Sequence, residues 1–267
     1  MTKTKFATVG DVTLHYRPEG IAQGLPLVFL NSLGTDLRIW DAVTPHFAGR
    51  FLLIRHDKRG HGLSDCPPGP YTLRDYTTDL AGLLDQLGVD EAILIGDSVG
   101  GMIALDYALT YPDQIKGLVL CDTAAKIGSP DMWNERIDTL RQNGMEYLAE
   151  TILARWFSPG FKENNPAAYR GYRNMLLRTP LEGYIATCEA IREADLREGV
   201  TTLQTPALVL CGAEDASTPP DLGRGLAEAL PKARFELIAG AGHIPSLEQP
   251  AALAEAMDRF LRENGYG

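Results

Sequence analysis

Residues 92–112 read AILIGDSVGGMIALDYALTYP. An apolar run breaks at Gly96-Asp97-Ser98-Val99-Gly100-Gly101, turns apolar again and stops at Pro112. That pattern predicts a buried strand (92–96) fed through a tight turn into a helix (98–112). The alternation recurs along the chain. TLHYR (13–17) alternates like an early antiparallel strand. PLVFL (26–30), FLLIRH (51–56), KGLVLC (116–121), ALVLCG (207–212) and ARFELI (233–238) read as buried strands. Helical patterns lie between them. TLRDYTTDLAGLLDQLG (72–88) opens with Thr72 and Asp75 at capping-box spacing and ends at Gly88. It sets Tyr76, Leu80, Leu83, Leu84 and Leu87 on one face. QPAALAEAMDRFLREN (249–264) carries Pro250 near its first turn. Such alternation implies an α/β class: a mostly parallel sheet with helices on both faces.

The alternation fails between 123 and 204. Helical patterns rich in Trp, Tyr, Arg and Met fill that stretch, broken at Gly144, Pro159, Pro166 and Pro180. The expectation is a helical cap (123–204) inserted into a core made of 1–122 and 205–267. A chain of 267 residues accommodates one core with such an insertion. Its net charge of −10 speaks against a nucleic-acid partner, which needs clustered Lys and Arg. The same charge means that an anionic ligand requires a local cation. No run approaches membrane-spanning length, and MTKTKFATVG lacks the apolar stretch of a signal peptide. A cytoplasmic protein without a membrane partner is therefore expected. Cys66, Cys121, Cys188 and Cys211 show no metal-ligand spacing and read as buried free thiols.

The turn at 96–100 is where chemistry becomes possible. A serine hydroxyl is a poor nucleophile until a base takes its proton, and its oxyanion needs donors already in place. Glycines at 96 and 100 leave room for a strained turn that lifts Ser98 and aims the Val99 N–H from a helix N-terminus. Ser98 is the candidate nucleophile. Of 5 histidines, His243 sits in the glycine-loosened loop GAGHIPSLEQP, between the last strand and the last helix, and is the candidate base. His61, in DKRGHGLSD, reads as a structural loop residue. The acid that orients the base should follow a strand. Asp215, after 207–212, is preferred to Asp122, after 116–121. A second oxyanion donor should come from the loop NSLGTDLRIW, with the Leu33 N–H as candidate. Asn31 and Ser32 either brace that loop or satisfy its backbone. A carboxylate beside the nucleophile opposes an oxyanion, so Asp97 is expected to turn back under the elbow and be hydrogen-bonded there.

The order Ser, Asp, His is that of the α/β-hydrolases. HDKRGHGLSD, GDSVGG, GAEDASTP and GAGHIPSLEQP, taken in order, resemble that superfamily along the whole chain. The resemblance implies the α/β-hydrolase fold, with a mostly parallel eight-stranded sheet and an inserted helical cap. Within the superfamily, LNSLGTDLRIWD, RHDKRGHGLSDCPPGPYTLRDYTTDLAGLLDQLGV and DMWNERIDTLRQNGMEYLAETILARWF resemble the 3-oxoadipate enol-lactonases of aromatic catabolism. Asp97 and Val99 depart from the residues usual at those elbow positions. The resemblance implies opening of 3-oxoadipate enol-lactone to 3-oxoadipate through an acyl-enzyme, with no metal or organic cofactor.

Such a substrate carries a free carboxylate. The candidates to hold it are Arg136 and Arg155, ahead of Arg170, Arg173 and Arg178, with Trp133 as a pocket wall near Trp156. Trp40 reads as core. Carboxylesterases and C–C bond hydrolases of aromatic catabolism use the same kind of triad, and a ligand sensor on this fold can retain it. Epoxide hydrolases and dehalogenases use an aspartate nucleophile, against which Ser98 argues. Asp97, one residue earlier, would point elsewhere.

Overall fold

The computed structural model describes residues 4–267. Its strands are β1 (Lys5–Val9), β2 (Val12–Gly20), β3 (Pro26–Leu30), β4 (Leu52–His56), β5 (Ala92–Asp97), β6 (Ile115–Cys121), β7 (Ala207–Gly212) and β8 (Ala233–Ile238). They form one 8-stranded sheet in the order β1-β2-β4-β3-β5-β6-β7-β8. β1 pairs with β2, and β2 with β4, antiparallel. Every other pairing is parallel, from Pro26↔Leu52 at β3–β4 to Gly212↔Ile238 at β7–β8. Parallel strands must be covered on both faces. β5 and β7 are accordingly buried at every residue.

The helices are α1 (Leu73–Gln86), α2 (Val99–Thr110), α3 (Pro130–Trp156), α4 (Phe161–Asn164), α5 (Pro166–Arg178), α6 (Leu181–Glu193), α7 (Arg197–Val200), α8 (Pro220–Ala229), α9 (Pro245–Glu248) and α10 (Pro250–Glu263). α1 begins in the expected capping box: Thr72 accepts from the Asp75 N–H, and Asp75 accepts from the Thr72 N–H. Between β6 and β7 the chain forms only helices, α3 to α7. Gly144 interrupts α3 with φ 76°, a kink where its sequence pattern breaks.

Three expectations need correction. ARFELI is a strand but not a buried one: β8 lies at the edge of the sheet and only its Ile238 is buried. β1 is absent from the sequence reading, and β2 runs well past 13–17 to Gly20. β1 is an edge strand with no fully buried residue, so it leaves no hydrophobic alternation to detect. Cys66 is exposed rather than buried, because it stands in the loop before Pro67 and not in a strand; the other cysteines are buried.

Candidate active site

The C-terminal end of β5 places Ser98. Its backbone is left-handed (φ 56°, ψ −118°), a strained conformation for a residue with a side chain. The strain is held by close packing. A Cβ on Gly96 would stand 2.3 Å from Gly100 O, and one on Gly100 would stand 2.3 Å from Leu30 O. Only glycines let α2 rise this steeply from β5 and lie against β3. The carbonyl of Ser98 accepts from Thr123 Oγ1 at 2.7 Å, and its N–H donates to Cys121 O at 2.9 Å. Val99 is the first residue of α2, where a helix leaves its N–H groups unsatisfied.

His243 follows β8, and Asp215 follows β7. The two loops touch: a Cβ on Gly212 would stand 1.9 Å from Gly242 O. His243 Nδ1 lies 2.9 Å from Asp215 Oδ2, with both residues buried. Asp215 also accepts from the Ser217 N–H at 2.7 Å and the Thr218 N–H at 3.1 Å, and Thr218 Oγ1 lies 2.7 Å from Oδ2. Burial opposes the Asp215 charge, but His243 and these donors outweigh it and bring its pKa down to about 2. Burial likewise opposes the imidazolium of His243; the Asp215 carboxylate outweighs it and leaves the pKa raised. The adjacent Glu214 is exposed, and it is Asp215 that pairs with the imidazole. The His243 N–H donates to Trp156 O at 2.9 Å, tying this loop to the end of α3.

Asp122, the alternative acid, accepts the Gly212 N–H at 2.8 Å on Oδ1. Burial first, and then the neighbouring Asp215, raise its pKa well above its ordinary value. Asp122, Cys211 and Asp215 are the one group with metal-ligand proximity among the described residues. Asp215 there is already engaged by His243 and Thr218.

A single cavity joins these parts. It encloses about 590 Å³ of free space, its open mouth included. Ser98, His243, Ser32 and Leu33 line it from the loops and turns at the strand ends; Trp133, Arg136, Arg155, Trp156 and Tyr184 line it from α3 and α6. Trp133 is buried and donates from Nε1 to Ile127 O at 2.8 Å. The Arg136 guanidinium lies 5.0 Å from the Trp133 ring centroid. Neither Arg136 nor Arg155 makes an ion pair among the described residues, whereas Arg173 pairs with Glu146 and Glu150. Arg178 lines a separate cavity with His15 and Arg17. Arg170 is exposed and lines neither.

A model of the alpha/beta hydrolase fold matches residues 26–250. The chain belongs to that family. It is 36% identical over 255 residues to 3-oxoadipate enol-lactonase 2 of Acinetobacter baylyi, covering 96% of this chain and 95% of that protein. The crystal structure of the enol-lactonase from Burkholderia xenovorans LB400 superposes with a TM-score of 0.94 at 38% identity, covering 97% of this chain and 100% of that one. A thermophilic esterase from Thermogutta terrifontis, solved with malate bound, superposes at 0.91 with 32% identity over 98% of this chain and 99% of that one.

This alpha/beta hydrolase departs from expectation at Asp97. The residue is fully buried, but neither carboxyl oxygen has a hydrogen-bond partner. The elbow leaves no backbone donor within its reach. Burial dominates and outweighs the charge-favouring influence of His243 and the smaller ones of Ser32 and Lys58, so the pKa rises to about 8. Burial thus shifts Asp97 towards its protonated form.

Asn31 resolves as a brace. Its Nδ2 donates to His56 O at 2.8 Å, and its Oδ1 accepts from Trp40 Nε1 at 3.2 Å, with Trp40 fully buried. His61 is structural in a definite way. Burial keeps it neutral, its Nδ1 faces Arg59 O at 3.3 Å, and its Nε2 accepts the Gly34 N–H at 3.0 Å. Sequence reasoning missed Thr218 and Lys58. The single signal for Lys58 is a lysine two residues beyond the end of the buried strand β4.

Proposed function

We propose that this protein is a serine hydrolase that opens an enol-lactone bearing a free carboxylate, with 3-oxoadipate enol-lactone as substrate. The observation that carries the reading is one cavity lined at once by Ser98, His243, Leu33 and an Arg136 that has no carboxylate partner. The helices between β6 and β7 act as a cap, since α3 and α6 line the cavity that holds Ser98. The similarity to enol-lactonases along nearly the whole chain supports the substrate class.

The chemistry follows from the parts. Ser98 Oγ attacks the lactone carbonyl and passes its proton to His243 Nε2, because Nδ1 is engaged by Asp215. Asp215 stabilises the imidazolium. The Leu33 and Val99 N–H groups hold the oxyanion. Collapse breaks the ring C–O bond. The leaving enolate takes the proton from His243 and tautomerises to the ketone, while the acyl group stays on Ser98. Water then gives a proton to His243 and attacks the acyl carbon. Ser98 leaves with that proton, and the free acid departs. Arg136, stacked on Trp133, pairs with the second carboxylate. The related esterase was solved with malate, a dicarboxylate, bound, which supports a carboxylate-bearing ligand.

The test is turnover of the enol-lactone, followed by loss of its ultraviolet absorbance. Ser98→Ala should abolish it. Arg136→Ala should raise KM for the lactone by about tenfold or more while leaving a neutral aryl ester unaffected. The esterase similarity favours a second reading, a general carboxylesterase. Much faster turnover of aryl esters than of the lactone would establish that reading instead.

A further inference from the structure

The loop after β3 distributes its polar groups unevenly. The Ser32 carbonyl oxygen collects three donors: Lys58 Nζ at 2.6 Å, Thr35 Oγ1 at 2.9 Å and the Thr35 N–H at 3.3 Å. The Gly34 N–H is held by His61. Between them, the Leu33 N–H donates to no group among the described residues. Leu33 belongs to the same peptide unit as the Ser32 carbonyl, and both residues line the cavity with Ser98. In a trans peptide the C=O and N–H point in opposite directions. Fixing Ser32 O on one side therefore aims the Leu33 N–H on the other.

Lys58 is an expensive way to fix it. Its side chain is 3% exposed and forms no ion pair among the described residues. Lysine is almost never fully buried unless paired, because desolvating the amine is costly. An apolar side chain of equal length would fill the same space without that cost. What it could not supply is a donor to Ser32 O, with a second, longer approach to Asn31 O at 3.4 Å.

We propose that Lys58 is a positioning residue of the oxyanion hole: its amine, donating to Ser32 O, polarises the Ser32–Leu33 peptide and holds the Leu33 N–H on the oxygen that develops negative charge beside Ser98. This rests on the assignment of Leu33 as an oxyanion donor. Hydrogen bonds in series strengthen one another, and the developing oxyanion is the strongest acceptor the Leu33 N–H meets. The benefit is largest in the transition state, so it belongs to kcat and not to KM.

The test compares wild type with Lys58→Met, which keeps length and loses the donor, and Lys58→Gln, which keeps a neutral donor. Each is assayed on an aryl ester and the enol-lactone, titrated with an arylboronic acid that forms a tetrahedral adduct on Ser98, and unfolded in urea. Lys58→Met should lower kcat about tenfold to hundredfold, less than loss of a direct donor, with KM within about twofold. Boronate affinity should weaken by a similar factor, and Lys58→Gln should recover part of both. A folded Lys58→Met with wild-type kcat and boronate affinity overturns the proposal. So does a kcat loss that comes with a lower urea midpoint and unchanged boronate affinity, which marks a purely structural lysine. If Lys58→Met does not fold, Lys58→Gln carries the same comparison. A wild type that neither hydrolyses either substrate nor binds the boronate defeats the hydrolase reading itself, and this proposal with it.

Discussion

Asp97 and His243 show how burial changes what a carboxyl and an imidazole do. The unfolded chain gives up the Asp97 proton near its ordinary value of 3.8, whereas the folded chain keeps it to about pH 8. A raised pKa contributes stability that is complete below about pH 4 and is lost as pH rises towards 8. Asp97→Asn cannot ionise. Its stability relative to wild type should therefore rise across that window, by on the order of 1–3 kcal/mol, in urea titrations at about pH 5 and about pH 8. A difference that stays constant would mean that Asp97 is ionised in the fold. His243 must be neutral to take the Ser98 proton. Burial lowers its pKa, but the charge and hydrogen bond of the Asp215 carboxylate outweigh burial and raise it, with Arg136 a smaller opposing influence. The acid limb of kcat/KM should therefore lie above the ordinary value of 6.5, and activity should fall as pH drops through it. An inflection well below 6.5 in a pH–rate profile would count against His243 as the base.

At the scale of elements, the junctions of β5 with α2 and of α3 with itself make opposite demands on glycine. Gly100 sits where α2 crosses the end of β3, and any side chain there must push the two apart. Gly144 has φ 76° but nothing within 4 Å of an added Cβ. Gly100→Ala should cost about 3 kcal/mol or more and abolish activity, since the elbow cannot relax away from Leu30. Gly144→Ala should cost only about 1 kcal/mol, the price of its backbone conformation. Urea midpoints of the two variants check the contrast; equal losses would mean that close approach is not what selects Gly100. The capping box of α1 and the break at Gly144 were legible in the sequence because both are local: each depends on residues within one turn of each other.

Over the whole molecule, burial is graded across the sheet. β5 lies between β3 and β6 with every residue buried, while β1 is an edge strand whose residues are all at least partly exposed. Amides of β1 should exchange with solvent by local opening, at least about a hundredfold faster than those of β5, which need global unfolding. Hydrogen exchange resolved by residue checks this, and equal protection would show that β1 is locked into the same cooperative unit. Apolar content, more than burial, explains which strands could be read in advance: the edge strand β8 buries only Ile238 yet carries an apolar run. β3, β7 and β8 matched their apolar runs end to end; β1 had no buried face to betray it.

The sequence by itself determined the sheet-and-helix alternation, the helical stretch between β6 and β7, and the glycines that force a left-handed Ser98. These are encoded by neighbours along the chain, through periodicity, capping and steric room. The tertiary structure decided what depends on residues far apart in sequence. It alone put His243 on Asp215 rather than Glu214 or Asp122, set Arg136 in one cavity with Ser98, and left Asp97 buried without a partner. It alone carried Lys58 onto the carbonyl of Ser32, 26 residues earlier. Charge states and hydrogen-bond partners of buried groups are set by what the fold packs around them, and no local pattern records that.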